Sequence, residues 1–423
     1  MRGGTDVIPA PLRVAPAPLR VAPAPLALTS FFSMLESDGI RWSLLRPASS
    51  VASPEGDVDV LVEPESIDHA EDALRATGFV LMPLPRPDVH GCLYDAELGR
   101  FVWVHVQGAL NLAGAELPAA QILAQVHQDD RLRLPSDDWL LWILLLRALV
   151  DKGELAPRHR DIVTELARGW GGGPPELVGL AQRRGVETGR AVSAASRGDW
   201  SELMRCSVHR GDPPPTGFRR WRQRLARLGD LSRLYEGRGV SVAVIGPDGA
   251  GKSRLTAALA QRLPLASRVQ YMGLTGGRMP LADALRVPGL VFAARVLLIW
   301  LRYARGLRQI MRGGIAVFDR YTLDGTVPPG MRLSLIGRIS RRLQVHVCPL
   351  PDLVLLLDAS GETLHARSGE YTPEKLESWR RTFALLEGRV EVLEKIDAER
   401  SFDEVQRDAL ARVWRRYGEL RGR

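Results

Sequence analysis

The stretch AVIGPDGAGKSRL, residues 243–255, decides how the second half of this chain folds. Gly246, Gly251, Lys252 and Ser253 stand at the spacing G-x-x-x-x-G-K-S. A loop of that form turns backbone N–H groups inward, where they cradle phosphate oxygens. Its lysine reaches the terminal phosphates and its serine hydroxyl ligates Mg²⁺. The context agrees. SVAVI (241–245) reads as a strand entering the loop, and SRLTAALAQRL (253–263) as a helix leaving it with its positive end toward the phosphates. Gly246, Pro247, Asp248, Gly249, Ala250, Gly251, Lys252, Ser253 and Arg254 are therefore the expected nucleotide-binding residues. Asp248 is the odd member, because a carboxylate cannot face phosphates without repulsion. It is expected to point outward, toward a hydroxyl or cation on an acceptor, which suits a small kinase better than a motor or a GTPase.

Working outward, SVAVIG (241–246), RVQYMG (268–273), GIAVFDR (314–320), PDLVLLLD (351–358) and VEVLEKID (390–397) read as mostly apolar strands separated by helical segments. Continuous apolar strands with intervening helices predict a parallel sheet covered on both faces. Residues 240–423 are thus expected to form an α/β domain.

This region resembles the thymidylate kinase family of nucleoside monophosphate kinases. The family's loop carries an acidic residue where Asp248 stands. GGIAVFDRYTLD (313–324) looks like its strand-end Asp-Arg-Tyr motif, at Asp319, Arg320 and Tyr321. PDLVLLLDASGETLHAR (351–367) is similar to the next core strand and the turn into the lid, and GEYTPEKLESWRRTFALLE (369–387) to the lid helix. EKIDAERSFDEV (394–405) looks like the loop and helix flanking the adenine. The resemblance implies ATP and Mg²⁺ as cofactors and phosphoryl transfer to a small-molecule acceptor. Lys252 and Mg²⁺ would neutralise the moving phosphoryl, with Asp248 on the acceptor side. Arg320 would fork onto the acceptor's phosphate, Ser253 and Asp319 would serve the metal, and Arg367 would close over the transfer. Arg380 and Arg381 rival Arg367, and Asp358 rivals Asp319. The Thr-Arg-Glu-Pro-like motif of the family is absent. YMGLTGGRMP (271–280) offers only Arg278, and an apolar helical region, 281–312, follows it. Thymidylate is therefore not the expected acceptor.

The first half reads differently. Residues 1–29, with PLRVAPA repeated, are expected to be a disordered proline-rich tail. Residues 30–115 alternate short strands and helices, predicting a small mixed α/β domain. Residues 116–210 are expected to be a helical companion, and 211–239 a proline-rich linker with a basic helix. Within the first domain, LLRP (44–47) precedes EGDVDVLV (55–62), placing Asp57 and Asp59 two apart on a strand and so on one side. This resembles the nucleotidyltransferase superfamily, which implies a two-metal site at Asp57 and Asp59. The third carboxylate expected there is replaced by His105, and the Gly-Ser turn by SSVASPEG (49–56). Two wider readings follow. Beside the phosphotransferase reading stand a bifunctional kinase and nucleotidyltransferase and an inactive ATP-binding scaffold.

Bulk properties bound these readings. The 423 residues exceed one core, and 45% hydrophobic with 25% charged residues is ordinary for globular protein. The net charge of +8 is nearly all arginine, lysine occurring only at Lys152, Lys252, Lys375 and Lys395. No aromatic-interleaved basic stripe accompanies it, so nucleic acid is not expected as a partner. Cys92, Cys206 and Cys348 are far apart with no metal spacing, which points to a reducing, cytoplasmic setting. The apolar run at 137–153 is too short to span a bilayer, and arginines interrupt residues 287–310. The latter stretch is open to peripheral membrane contact, and a homodimer is an open arrangement.

Overall fold

The computed structural model describes residues 25–52, 56–82, 87–129, 131–209, 239–273, 288–326, 347–388 and 390–421. Most of the proline-rich tail, the linker with its basic helix, and Arg278 lie outside these residues.

Two five-stranded sheets organise the chain. The first begins with α1 (Leu26–Ser37), so helix starts inside the segment read as tail, its N-terminus following Pro25. Then come β1 (Trp42–Leu44), β2 (Asp57–Val62), α2 (Ile67–Ala76), β3 (Val80–Leu81), β4 (Val89–Asp95) and β5 (Arg100–Gln107). The order is β1-β2-β5-β4-β3, with only β2 and β5 parallel, so that Asp59 lies opposite His105. The apolar faces of α1 and α2 cover this sheet, Phe32 stacking on Trp42 at 4.7 Å.

Residues 116–210 are less helical than their pattern predicts. Two hairpins come first, β6 (Ala109–Leu112) with β7 (Ala115–Pro118) and β8 (Val126–Asp129) with β9 (Leu132–Pro135). Apart from a short helix at Ala119–Leu123 between the hairpins, the helices follow: α3 (Asp137–Leu146), α4 (Arg160–Arg168), α5 (Pro175–Arg183), α6 (Thr188–Arg197) and α7 (Trp200–Arg205). In α3 every residue from Trp139 to Leu146 is buried. This helix is apolar all round because its neighbours enclose it.

The second sheet contains β10 (Val240–Ile245), α8 (Lys252–Arg262), β11 (Ser267–Tyr271), α9 (Pro288–Ile310), β12 (Ile315–Asp319), β13 (Leu353–Asp358), α10 (Gly361–Ser368), α11 (Pro373–Ala384), β14 (Leu393–Asp397) and α12 (Phe402–Arg421). All its pairings are parallel, in the order β11-β12-β10-β13-β14. Val242 and Val244 face a core that includes residues of α8 and α12, and Ala243 and Ile245 face one that includes residues of α9 and α11. Burial on both sides is why β10, β12 and β13 read as unbroken apolar runs, whereas the edge strands β11 and β14 carry exposed polar positions. Because β12 and β13 flank β10 on opposite sides, the strand order reverses there. In open α/β sheets that reversal opens a crevice beyond the carboxyl ends of the strands.

The two sheets meet through α12. Trp414 donates its indole N–H to the Cys92 carbonyl at 3.0 Å and packs edge-on to Phe101 at 5.0 Å. A methyl added at Gly418 would come 2.9 Å from Val80, so α12 lies close on the β3–β4 edge. The three cysteines are free and buried, each in a different core: Cys92 at this joint, Cys206 among the helices and Cys348 behind the parallel sheet.

Candidate functional site

The crevice at the end of β10 is where the glycine loop sits. Gly246, Gly249 and Gly251 have φ of 143°, 88° and 90°. At Gly249 a side chain would strike the Leu364 carbonyl of α10, whereas at Gly251 it would meet nothing within 4 Å. The first glycine lets a neighbouring helix close on the loop. The second is set by its left-handed backbone, just where α8 begins with its first N–H groups.

Lys252, 5% exposed, donates to the Pro247 carbonyl at 2.6 Å and lies 3.4 Å from an Asp248 carboxylate oxygen. Burial, and then the nearby Arg320, hold its pKa below the usual lysine value. Asp248 meets cations of the protein itself, one carboxylate oxygen lying between Arg320 and Lys252. Its carboxylate accepts from Arg320 Nη2 at 2.5 Å. Burial works to raise its pKa, but Lys252 and Arg320 overcome this and hold it below the usual carboxylate value. Arg320 is one of two non-glycine residues with positive φ among those described, at 65°, and its N–H donates to Val244. That costs backbone strain. It sets the guanidinium between Asp248 and Asp324, the latter 3.7 Å away.

Ser253 donates to Asp319 Oδ2 at 2.7 Å. Asp319 is buried, and its Oδ1 has no hydrogen-bond partner among the described residues. A buried carboxylate oxygen left unpaired is costly, and a hard cation beside the serine hydroxyl would satisfy it. The residues present therefore fit Mg²⁺. Tyr321, by contrast, is structural: it is buried, packs on Phe318 and donates to Pro349.

At the other end of the loop, Arg254 lies over the Phe402 ring at 3.8 Å, and Arg367 donates to the Ala398 carbonyl at 2.9 Å. Arg367 thus sits against the chain between β14 and α12, not over the phosphate end as expected. Asp358 is occupied as well, held by Arg380 at 2.6 and 3.2 Å and by Lys395 at 3.2 Å. This withdraws both it and Arg380 from the roles they rivalled.

The Asp57–Asp59 pair does not gather metal ligands. Asp57 is exposed and Asp59 buried. Asp59 accepts from Arg46 Nε at 2.7 Å, from Arg147 Nη1 at 2.9 Å and meets His105 Nδ1 at 3.2 Å. Two guanidinium groups stand where a shared metal is expected. Burial opposes ionisation of Asp59, yet His105, Arg147 and Arg46 lower its pKa far below the usual value. The other His105 nitrogen meets Asp88 at 3.2 Å, and its ring stacks on His90 at 4.2 Å. Among the described residues no group of three or more His, Cys, Asp or Glu is arranged to hold a metal ion.

The sequence reading missed Asp324 and the Asp59 arginines. Asp324 carries a signal, four residues after Arg320 in RYTLD. Arg147 carries none, since 88 residues separate it from Asp59.

No family model matches the chain, and no curated protein matches it. Two solved structures of deoxyadenosine kinase from M. mycoides are similar to it. The one with bound dATP is 14% identical, covers 40% of this chain and 97% of its own, and has a TM-score of 0.29. The one with products dCMP and a flexible dCDP bound is 16% identical, covers 40% and 96%, and has a TM-score of 0.30. Such scores add nothing to what the strand order and the loop geometry establish.

Proposed function

We propose that this chain is an ATP- and Mg²⁺-dependent phosphotransferase acting on a small phosphorylated or hydroxylated acceptor in the cytoplasm. The carrying observation is the Ser253–Asp319 pair beside the glycine loop, whose Asp319 Oδ1 has no hydrogen-bond partner among the described residues. Bound there, Mg²⁺ supplies charge neutralisation to the nucleotide phosphates. Ser253 and Asp319 would hold it. Lys252 exchanges the Pro247 carbonyl for a terminal phosphate oxygen. Asp248 and Arg320 receive the acceptor, the guanidinium forking onto a phosphate, or the carboxylate hydrogen-bonding a hydroxyl and taking its proton as the new P–O bond forms. An acceptor oxygen then attacks the terminal phosphorus in line, and ADP leaves.

The arginines on Asp59 speak against a nucleotidyl-transfer site, so the bifunctional reading has no support from side-chain geometry. The test is ADP release across nucleosides, nucleoside monophosphates, sugars and sugar phosphates. Turnover with one acceptor class is expected, falling about a hundredfold or more in Lys252→Ala with the fold retained. ATP binding with no acceptor raising ADP release above the Lys252→Ala background would leave a scaffold instead.

A further inference from the structure

One helix has an outer face that the phosphotransfer reading does not use. The inner face of α9 packs on the parallel sheet through Ile299, Tyr303, Gly306 and Ile310. Gly306 lies so close to Phe318 that a methyl there would come 2.5 Å from its ring. The opposite face is open. Leu297 is 61% exposed, Trp300 45%, Leu301 52%, Leu307 37% and Met311, just past the helix end, 62%. At about 3.6 residues per turn these positions form one continuous stripe, not scattered surface residues.

The charge carried by the helix itself is of one sign. Arg305, Arg308 and Arg312 are exposed along it, and no Asp or Glu occurs between Asp283 and Asp319. A second copy of this helix laid on the stripe would bring arginine against arginine with no carboxylate on either helix to pair them. An anionic surface matches it, and tryptophan and leucine beside arginine suit the boundary between headgroups and acyl chains. None of the described helices is long and apolar enough to cross a membrane, so such a helix lies along the surface.

We propose that the outer face of α9 docks this protein on an anionic lipid surface, with Leu297, Trp300 and Leu301 entering the headgroup boundary and Arg305, Arg308 and Arg312 meeting lipid phosphates. This stands apart from the phosphotransferase reading, and its test needs no turnover.

The full chain is sedimented with vesicles of phosphatidylcholine alone or mixed with phosphatidylglycerol. Binding to the mixed vesicles only, weakening as salt rises, is expected. Trp300→Ser with Leu301→Ser, and separately Arg305→Glu with Arg308→Glu, should each lower it about tenfold or more, with melting temperature unchanged for the arginine pair and lowered only slightly for the first, where Trp300 gives up its edge contact with Tyr303. Wild-type protein left in the supernatant with mixed vesicles overturns the proposal, as does binding that neither pair reduces. A dimer in sedimentation velocity that the Trp300→Ser and Leu301→Ser pair dissociates also overturns it, in favour of a second copy.

Discussion

Asp59 shows what a buried charge demands. Sequence places it in a strand motif that suggests metal, yet Arg46 and Arg147 supply the compensating charge. Asp59→Ala leaves two guanidiniums near one another with their shared partner gone. A loss of about 3–5 kcal/mol is expected, read by urea unfolding. The same neighbourhood predicts acid sensitivity. Burial, then Arg158, Arg46, Lys152 and Arg147, lower the His159 pKa from its usual 6.5 to about 4. The unfolded chain takes up this proton near pH 6.5 and the folded ring only near 4, so stability falls as pH drops through that window. His159→Gln should flatten that part of a stability–pH curve. The lowered pKa of Asp59 acts further down, its contribution present above the usual 3.8 and lost on stronger acidification. At this scale the glycine loop was legible because its chemistry is local. Arg147 and the Arg254–Phe402 contact were not, because tertiary packing alone joins residues so distant in sequence.

Among elements, the parallel strands were legible from their apolar runs and the hairpins were not. VHQDDRLRLP (126–135) is too polar and too short to show a period, and only Leu134 of β9 is drawn into the core of the first sheet. The loop and α10 form a unit, since Gly249 leaves room for the Leu364 carbonyl. Gly249→Ala combines a strained φ with that clash, so α10 must withdraw. Nucleotide affinity should fall about tenfold or more, measured by titration with a fluorescent ATP analogue, with a smaller change in melting temperature.

For the whole molecule, α12 is the member shared by both sheets. It starts at Phe402 beneath Arg254 and further along carries Trp414 against Cys92 and Phe101. Trp414→Ala should cost about 3–5 kcal/mol in urea unfolding and expose the β3–β4 edge to protease before the parallel sheet is cut. No sequence pattern announced this joint, because both partners present ordinary amphipathic faces.

The thiols give a way to watch these parts separately. Each is shielded, and desolvation raises the pKa of all three, Cys348 to about 11. None reacts until its own surroundings part. Brief alkylation followed by peptide mass measurement therefore clocks three openings in one sample, at the joint, in the helical region and behind the nucleotide crevice. Added ATP should slow the clocks of whichever regions it braces and leave the others ticking at their former rate.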